Sequence, residues 1–198
     1  MSSDACLGDY LALQRGTTYK SARLDEPGPT LLGLASIERN GGFRRDRLRT
    51  YGGASPEKML LQPGDLYVSL KDVTQAGDLL GAVARVPYDI QFGRLTQDTV
   101  KLEIKKTHAP DANYLYWLLR TPEYRAYCRA HSMGTTNLSL SRADFLAFSV
   151  PAVTRARTAL VHALQMLDEK IDSNRRLAAL LEETATTLFR ARFESSRR

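Results

Sequence analysis

Five arginines lie close together in segment 38–50, around Asn40-Gly41-Gly42-Phe43, with one aspartate, Asp46, among them. A guanidinium group donates two parallel hydrogen bonds, which suits a phosphate group or the major-groove edge of guanine. The residue types therefore indicate contact with a nucleic acid. A solvated basic loop without a ligand explains the same composition equally well.

A second pattern could hold a metal ion. Asp89, together with Glu103-Ile104-Lys105 on a predicted strand, imitates an arrangement in which two carboxylates bind Mg²⁺ and a lysine assists the attacking water. Charges that alternate along the wet face of a strand produce Glu-x-Lys by chance. A Mg²⁺-dependent nuclease is therefore the third-ranked hypothesis.

Other catalytic and metal-binding patterns are absent from the sequence. It contains no G-x-G-x-x-G, G-x-x-x-x-G-K-[ST], G-x-S-x-G or H-E-x-x-H motif. The histidines His108, His131 and His162 are scattered, and Cys6 and Cys128 stand far apart without a Cys-x-x-Cys pair, which argues against structural zinc. The N-terminal residues lack a signal-peptide pattern, and no apolar run is long enough for a membrane span, so we expect a reduced, cytoplasmic protein.

The composition is ordinary for a globular protein and moderately basic. The 198 residues are 43% hydrophobic and 25% charged, with a net charge of +6 and an isoelectric point of about 9.4. This length gives room for one sizeable domain and a long helix. The positive charge suits a polyanionic partner without requiring one.

The last helix, predicted from Thr154 to Phe193, organises the chain. Its apolar residues recur in alternating steps of four and three, which is heptad spacing. The seam consists of Leu160, Leu164, Leu167, Ile171, Asn174, Ala178, Leu181, Ala185 and Leu188. It is about 43 Å long, too long for a compact domain of this size to cover. We expect a second helix from a partner chain or a second copy, the alternative being that the seam packs along the chain's own N-terminal domain. Leu164, Ile171, Ala178 and Ala185 take the a positions of the heptad, and the other five seam residues take the d positions. Alanine at two a positions and Asn174 at d leave the helix orientation open.

The preceding residues favour an α+β class, with a mainly β domain over residues 1–150 and the coiled-coil helix over 151–198. Apolar runs and period-two alternation predict strands at 10–13, 30–37, 66–70, 79–86 and 100–105. Asp111 is predicted to cap a helix that runs to about Ala130 unless Pro122 breaks it, and Ser141 begins a capping box.

Five short segments follow one another along the first 138 residues: Arg15-Gly16-Thr17-Thr18-Tyr19-Lys20, Leu32-Gly33-Leu34-Ala35-Ser36-Ile37, Pro63-Gly64-Asp65-Leu66-Tyr67-Val68-Ser69-Leu70, Tyr114-Leu115-Tyr116-Trp117-Leu118-Leu119 and Gly134-Thr135-Thr136-Asn137-Leu138. Their order resembles that found in the target recognition domains of type I restriction-modification specificity subunits. Residues 167–176, Leu-Asp-Glu-Lys-Ile-Asp-Ser-Asn-Arg-Arg, are similar to the conserved helix that follows each such domain.

The resemblance implies a non-catalytic reader of double-stranded DNA. In that family a recognition domain clamps one half of a split site, and the helices hold two domains apart. Adenine methyltransferase subunits dock on them and use S-adenosylmethionine, and a translocating restriction subunit can join. This chain would bind no cofactor itself, and the absence of an Asn-Pro-Pro-Tyr motif is consistent with that.

The chain departs from the family in having one recognition domain and one conserved helix where full-length members have two of each. We therefore interpret it as a half-subunit. Two copies, paired through antiparallel helices, would read a symmetric interrupted target. Pairing with a different half-subunit would give an asymmetric target.

The leading hypothesis is sequence-specific DNA recognition, and the second is a coiled-coil assembly adaptor whose basic surface is incidental. Candidate DNA contacts follow from residue type and loop position. They are Thr17, Tyr19, Lys20, Arg39, Asn40, Arg44, Arg45, Arg47, Lys71, Gln75, Arg94 and Gln97.

Overall fold

A computed structural model describes residues 5–105 and 109–194, so that His108 lies outside the described residues. The chain divides into two compact units with a boundary after Val153. The first unit combines sheets with short helices and the second is a long helix, which confirms the predicted α+β class.

Five α-helices and nine strands form the described part of the chain. In chain order they are α1 (Leu7–Tyr10), β1 (Leu11–Arg15), β2 (Thr30–Leu32), β3 (Leu60–Leu61), β4 (Leu66–Ser69), β5 (Lys71–Asp72), β6 (Val83–Arg85), β7 (Gly93–Leu95), β8 (Thr99–Ile104), α2 (Ala112–Leu118), α3 (Pro122–Ala130), β9 (Leu138–Ser139), α4 (Arg142–Ala147) and α5 (Arg155–Glu194). Single 3₁₀ turns occupy Ser21–Arg23, Leu34–Ser36 and Glu57–Met59.

A four-stranded antiparallel sheet in the order β1-β8-β4-β6 forms the centre of the first unit. Strand β4 is buried at every position, because it lies between two neighbours and is covered on both faces. In β8, Val100 and Leu102 are buried while Glu103 is exposed, as the period-two alternation predicts.

A smaller sheet in the order β2-β7-β3 packs beside the first. Strands β2 and β7 are parallel, and β3 joins β7 antiparallel. Its side chains share a core with the first sheet, and the fully buried members of that core are Leu32, Ile37, Leu61, Tyr67, Ala82, Ala84, Val86 and Leu95. The Tyr67 hydroxyl lies 2.8 Å from the Ser36 hydroxyl, and burial raises the pKa of this phenol.

The predicted helix from Asp111 to Ala130 is two helices. Asp111 caps α2, as predicted, by accepting a hydrogen bond from the Tyr114 amide at 2.8 Å. The chain then turns, and Thr121 caps α3 with Pro122 in its first turn. A proline fits this place because the first amides of a helix have no helical acceptor. Ser141 caps α4 as the capping box predicts, accepting from the Asp144 amide at 3.0 Å.

Three predicted strands have different bounds in the structure. The strand predicted at 10–13 runs instead from Leu11 to Arg15, because residues 7–10 form α1. The one predicted at 30–37 ends at Leu32, before the 3₁₀ turn at Leu34–Ser36. The one predicted at 79–86 is confined to Val83–Arg85, because residues 77–82 turn with positive φ angles at Gly77 and Gly81.

Helix α5 is continuous over 40 residues, within one residue of the predicted bounds. Between residues 160 and 188 its large apolar side chains are mostly solvent-exposed, from 49% for Ile171 to 65% for Leu188. Along the described residues, no helix combines the length and apolar character that crossing a bilayer would need.

Candidate nucleic-acid interface

Loops from three separate parts of the sequence meet at one end of the four-stranded sheet. Strand β1 ends, β8 begins and β4 ends at this edge, because Arg15 pairs with Val100 and Ser69 pairs with Thr99. We call residues 16–20, 70–76 and 96–98 the loop face. It collects six of the predicted DNA contacts: Thr17, Tyr19, Lys20, Lys71, Gln75 and Gln97.

Short contacts hold the loop face together. Thr17 forms a parallel bridge with Thr96, and its hydroxyl lies 3.2 Å from the Met59 sulfur. The Lys71 ammonium lies 3.2 Å from a carboxylate oxygen of Asp98, so one of the two lysines on this face is paired with an acid. The Lys20 side chain is exposed and forms no ion pair with any residue that the structure describes.

A tight turn at Arg39 and Asn40 lies next to residues 78–83, which follow the 70–76 segment of the loop face. Asn40 has a φ of 61°, and its amide donates to the Asp78 carbonyl at 2.9 Å. The Gly42 amide donates to the Val83 carbonyl at 2.8 Å, which fixes the turn to the outer edge of β6. The Arg39 side chain is 83% exposed, and its guanidinium lies 3.9 Å from a carboxylate oxygen of Asp78, a long and exposed ion pair.

The other four arginines of the same segment each lie near a carboxylate, and Arg49 donates to both oxygens of Asp25, at 2.9 and 2.6 Å. Arg45 donates to both carboxylate oxygens of Asp89, at 2.7 and 3.1 Å. Asp89 follows the C-terminal end of β6, and the loop face is at the N-terminal end of that strand. Arg44 makes a bidentate pair with Asp46, and Arg47 lies 3.9 Å from the same carboxylate. The hydrogen bond from Arg44 lowers the pKa of Asp46. The basic segment is therefore divided between two ends of the sheet.

Arg94 is a correction to the predicted contacts, because it is only 2% exposed. Its guanidinium donates to the Leu95 carbonyl at 3.1 Å, the Thr18 carbonyl at 3.2 Å and the Thr17 hydroxyl at 3.3 Å. It also lies over the Tyr51 ring, 4.7 Å from the centroid. Arg94 thus supports the loop that carries Thr17 from inside the domain.

The nuclease-like pattern gains no support from the geometry. Asp89 is engaged by Arg45, and the Lys105 ammonium donates to the Gly8 carbonyl at 2.6 Å. Glu103 lines a shallow cleft with Asp65 and Lys101, which pair at 2.6 Å. Residues 5–105 and 109–194 contain no group of three or more His, Cys, Asp or Glu side chains that could hold a metal ion.

Sequence reasoning missed the buried polar residues that support these loops. Asp72 and Arg125 are 1% and 3% exposed, and both bond to the backbone of residues 74–80. Their sequence neighbourhoods give no signal, because Asp72 lies in a polar run and Arg125 lies on a helix with other charged residues. Only the tertiary structure shows that both side chains point inward.

A second exposed surface runs along α5. Each a position lies three residues before a d position, so the nine seam residues form one stripe on the helix. Arg176 and Asp172 form an ion pair at 3.3 Å one turn apart, a pair that supports the helix itself. This exposed apolar stripe is the kind of surface that a second helix covers.

The fold matches solved structures of one class of protein. A type I restriction-modification system S subunit from M. genitalium matches with a TM-score of 0.64 and 14% identity, over 93% of this chain and 42% of that one. An HsdS subunit from Thermoanaerobacter tengcongensis matches with a TM-score of 0.55 and 13% identity, over 87% of this chain and 38% of that one. A chain from a study of assembly and conformational transition of the type I R-M system matches with a TM-score of 0.55 and 15% identity, over 94% and 43%.

The chain therefore has the fold of part of a type I restriction-modification S subunit, which confirms the resemblance at the level of the fold. It spans about two fifths of the length of the S subunits that it matches. Comparison of the sequence with protein-family models and with curated proteins finds no match.

Proposed function

We propose that this protein is the DNA-recognition subunit of a type I restriction-modification system, in a half-length form. The observation that carries the proposal is the fold, which pairs one mixed α+β unit with one long helix as in part of an S subunit. The loop face gives this fold a polar surface with lysine, hydroxyl and amide groups, which are the groups that bind phosphates and base edges.

DNA would lie on the loop face and on the Arg39–Asn40 turn. Lys20 and Arg39 would neutralise phosphates, and Gln75, Gln97 and Asn40 would read base edges, since amide side chains donate and accept at the same time. Arg45 pairs with Asp89 beyond the other end of β6, so it would contact DNA only if the duplex extends past the loop face. The chain would act without catalytic groups of its own.

The chemistry would belong to partners. Adenine methyltransferase subunits would bring S-adenosylmethionine, and a restriction subunit could join the same assembly in the cytoplasm. The chain would direct these subunits to a bipartite target through its recognition unit, assigned to residues 1–150, and its spacer helix, assigned to residues 151–198.

The α5 seam would pair two copies of the chain. Four heptads of exposed leucine, isoleucine and alanine are too apolar to remain in water when a matching helix is present. An antiparallel pair places two identical readers about a two-fold axis, which predicts a symmetric, interrupted target. A partner half-subunit of different sequence would predict an asymmetric target instead.

Selection from a random double-stranded DNA library tests the proposal. The full chain is expected to enrich one interrupted sequence and to bind it at least about 10³-fold more tightly than competitor DNA at physiological salt. Enrichment of no sequence, with only salt-sensitive binding to all duplexes, would instead support the coiled-coil adaptor. A chain with Lys20→Ala and Arg39→Ala serves as the binding-deficient control.

A further inference from the structure

The loop between β5 and β6 has an exposed tip on a buried base. We call residues 73–81 the clamped loop. Residues 73–76, including Gln75, are exposed, whereas Gly77 and Leu80 are buried. A tip with exposed polar atoms is useful for reading bases only if its base is fixed.

Helix α3 fixes the base from one side. The buried Arg125 guanidinium donates to the carbonyls of Gly77 at 3.0 Å and Asp78 at 2.8 Å, and also to that of Leu80. From the residue before Arg125, the Tyr124 hydroxyl donates to the Gly81 carbonyl at 2.9 Å. Burial lowers the pKa of Arg125, and the hydrogen bonds of its guanidinium go to three backbone carbonyls of the clamped loop. A buried charge that bonds only to one loop fixes the path of that loop.

Asp72 fixes the loop from the other side. One carboxylate oxygen accepts from the Thr74 amide at 2.8 Å and the Thr74 hydroxyl at 2.9 Å. The other oxygen accepts from the Leu79 amide at 2.8 Å. Both arms of the clamped loop therefore end on one buried carboxylate.

The clamp extends to a second candidate reading element. The Asp78 carbonyl accepts from Arg125 at 2.8 Å and from the Asn40 amide at 2.9 Å. One oxygen atom thus joins α3, the clamped loop and the Arg39–Asn40 turn. A shift of Arg125 would move Gln75 and Asn40 together.

We infer that Arg125 and Asp72 are positioning residues for DNA recognition, which hold Gln75 and the Arg39–Asn40 turn in their reading geometry without touching DNA. This inference rests on the proposed function. A loop ordered before binding does not lose conformational entropy on binding, and its side chains meet one set of base edges. Weakening the hydrogen bonds of Arg125 or Asp72 should therefore reduce discrimination between DNA sequences more than it reduces attraction to phosphates.

The experiment compares the full wild-type chain with Arg125→Lys and Asp72→Asn on the target that the wild type selects. Leu7→Ala is the matched control, because Leu7 is fully buried in α1, outside the clamp. Each clamp variant is expected to lower the ratio of specific to competitor binding about tenfold. The salt dependence of competitor binding is expected to stay at the wild-type value, and Leu7→Ala is expected to keep the wild-type ratio at temperatures where it is folded.

Hydrogen exchange gives a second measurement that does not depend on a target. Arg125→Lys is expected to speed exchange of the Asn40 amide, more than 80 residues away in sequence, while β8 amides stay protected. Wild-type exchange at Asn40, or a specificity ratio unchanged in folded Asp72→Asn, would overturn the inference. If the wild type selects no target, the proposed function fails, and Asn40 exchange still shows whether the clamp holds the turn.

Discussion

At the scale of single residues, the five arginines of segment 38–50 and Lys71 all lie near a carboxylate before any ligand arrives. Arg44, Arg45 and Lys71 each lie within 3.2 Å of a carboxylate. A paired cation attracts phosphate weakly, since the neighbouring acid repels it. Lys20 forms no ion pair with any described residue, and the Arg39–Asp78 pair is 3.9 Å long and exposed. Both cations should therefore contribute more to DNA attraction than the closely paired Arg44, Arg45 and Arg49.

Replacing Arg39 by alanine should weaken binding to all DNA sequences. If Arg39 neutralises one phosphate, the slope of log affinity against log salt should become less negative by about 0.9. Titration of fluorescent duplexes over a range of salt concentrations measures both values. Arg47→Ala is the comparison, because Arg47 is also exposed but lies away from the loop face; an equal effect there would place DNA across both ends of the domain.

Replacing Asp98 by asparagine should have the opposite effect and tighten DNA binding a few-fold. The change removes a negative charge 3.2 Å from the Lys71 ammonium and leaves that cation to phosphate. The same titration at low salt measures the gain. Asp46→Asn makes an identical change of charge outside the loop face, and a gain of the same size in that variant would show that net charge alone is responsible.

At the scale of elements, Gly81 decides how closely α3 approaches the clamped loop. Gly81 has a φ of +71°, and a Cβ atom there would lie 2.5 Å from the Cys128 sulfur and 2.8 Å from the Tyr124 hydroxyl. Gly64 has a φ of +89°, but nothing lies within 4 Å of the place of its Cβ. The two positions separate steric contact from backbone strain.

Gly81→Ala should lower the free energy of unfolding by about 3 kcal/mol, from strain and overpacking together. Gly64→Ala should lower it by only about 1 kcal/mol, because strain acts there alone. Urea denaturation followed by circular dichroism measures both. Equal losses in the two variants would mean that α3 moves freely and that the close contact with Cys128 carries no energy.

Some secondary-structure elements of this protein could be predicted from the sequence, and some of their pairings could not. Strand β8 and the caps at Asp111 and Ser141 were predictable, because alternation and capping are local patterns. The parallel pairing of β2 with β7 joins residues more than 60 apart, and no local pattern encodes it. Residue type and loop position predict Arg94 as a DNA contact, but it is buried in the structure, which is rare for a charged residue. It is buried because carbonyl and hydroxyl acceptors from the distant 17–18 segment meet its guanidinium.

At the scale of the whole molecule, α5 sets the expected assembly. Its length and heptad period were predictable, because both are repeated many times along one segment. What covers the seam is not encoded in that repeat. The assembly in solution is therefore the most informative property of the intact chain.

Light scattering should give the full chain twice its monomer mass of 22.1 kDa. Leu167→Arg with Leu181→Arg should restore the monomer mass, since a charge at two d positions cannot be buried against a second helix. Arginine is a good helix former, so the two substitutions should not unfold α5 by themselves, and circular dichroism should still show a folded, helical chain. Glu183→Arg, an exposed substitution off the seam, should leave the dimer intact. A wild-type monomer at all concentrations would exclude self-pairing and leave the seam to a different chain.

The single Asp78 oxygen that accepts from both Arg125 and Asn40 limits how this protein could be redesigned. Recognition loops are attractive units for transplanting specificity from one reader to another. Here residues 73–76 cannot be exchanged as an independent cassette, because their support also carries the turn at 38–42. A functional chimaera would need both segments together with the arginine beneath them, so the smallest portable unit of specificity is three pieces of chain.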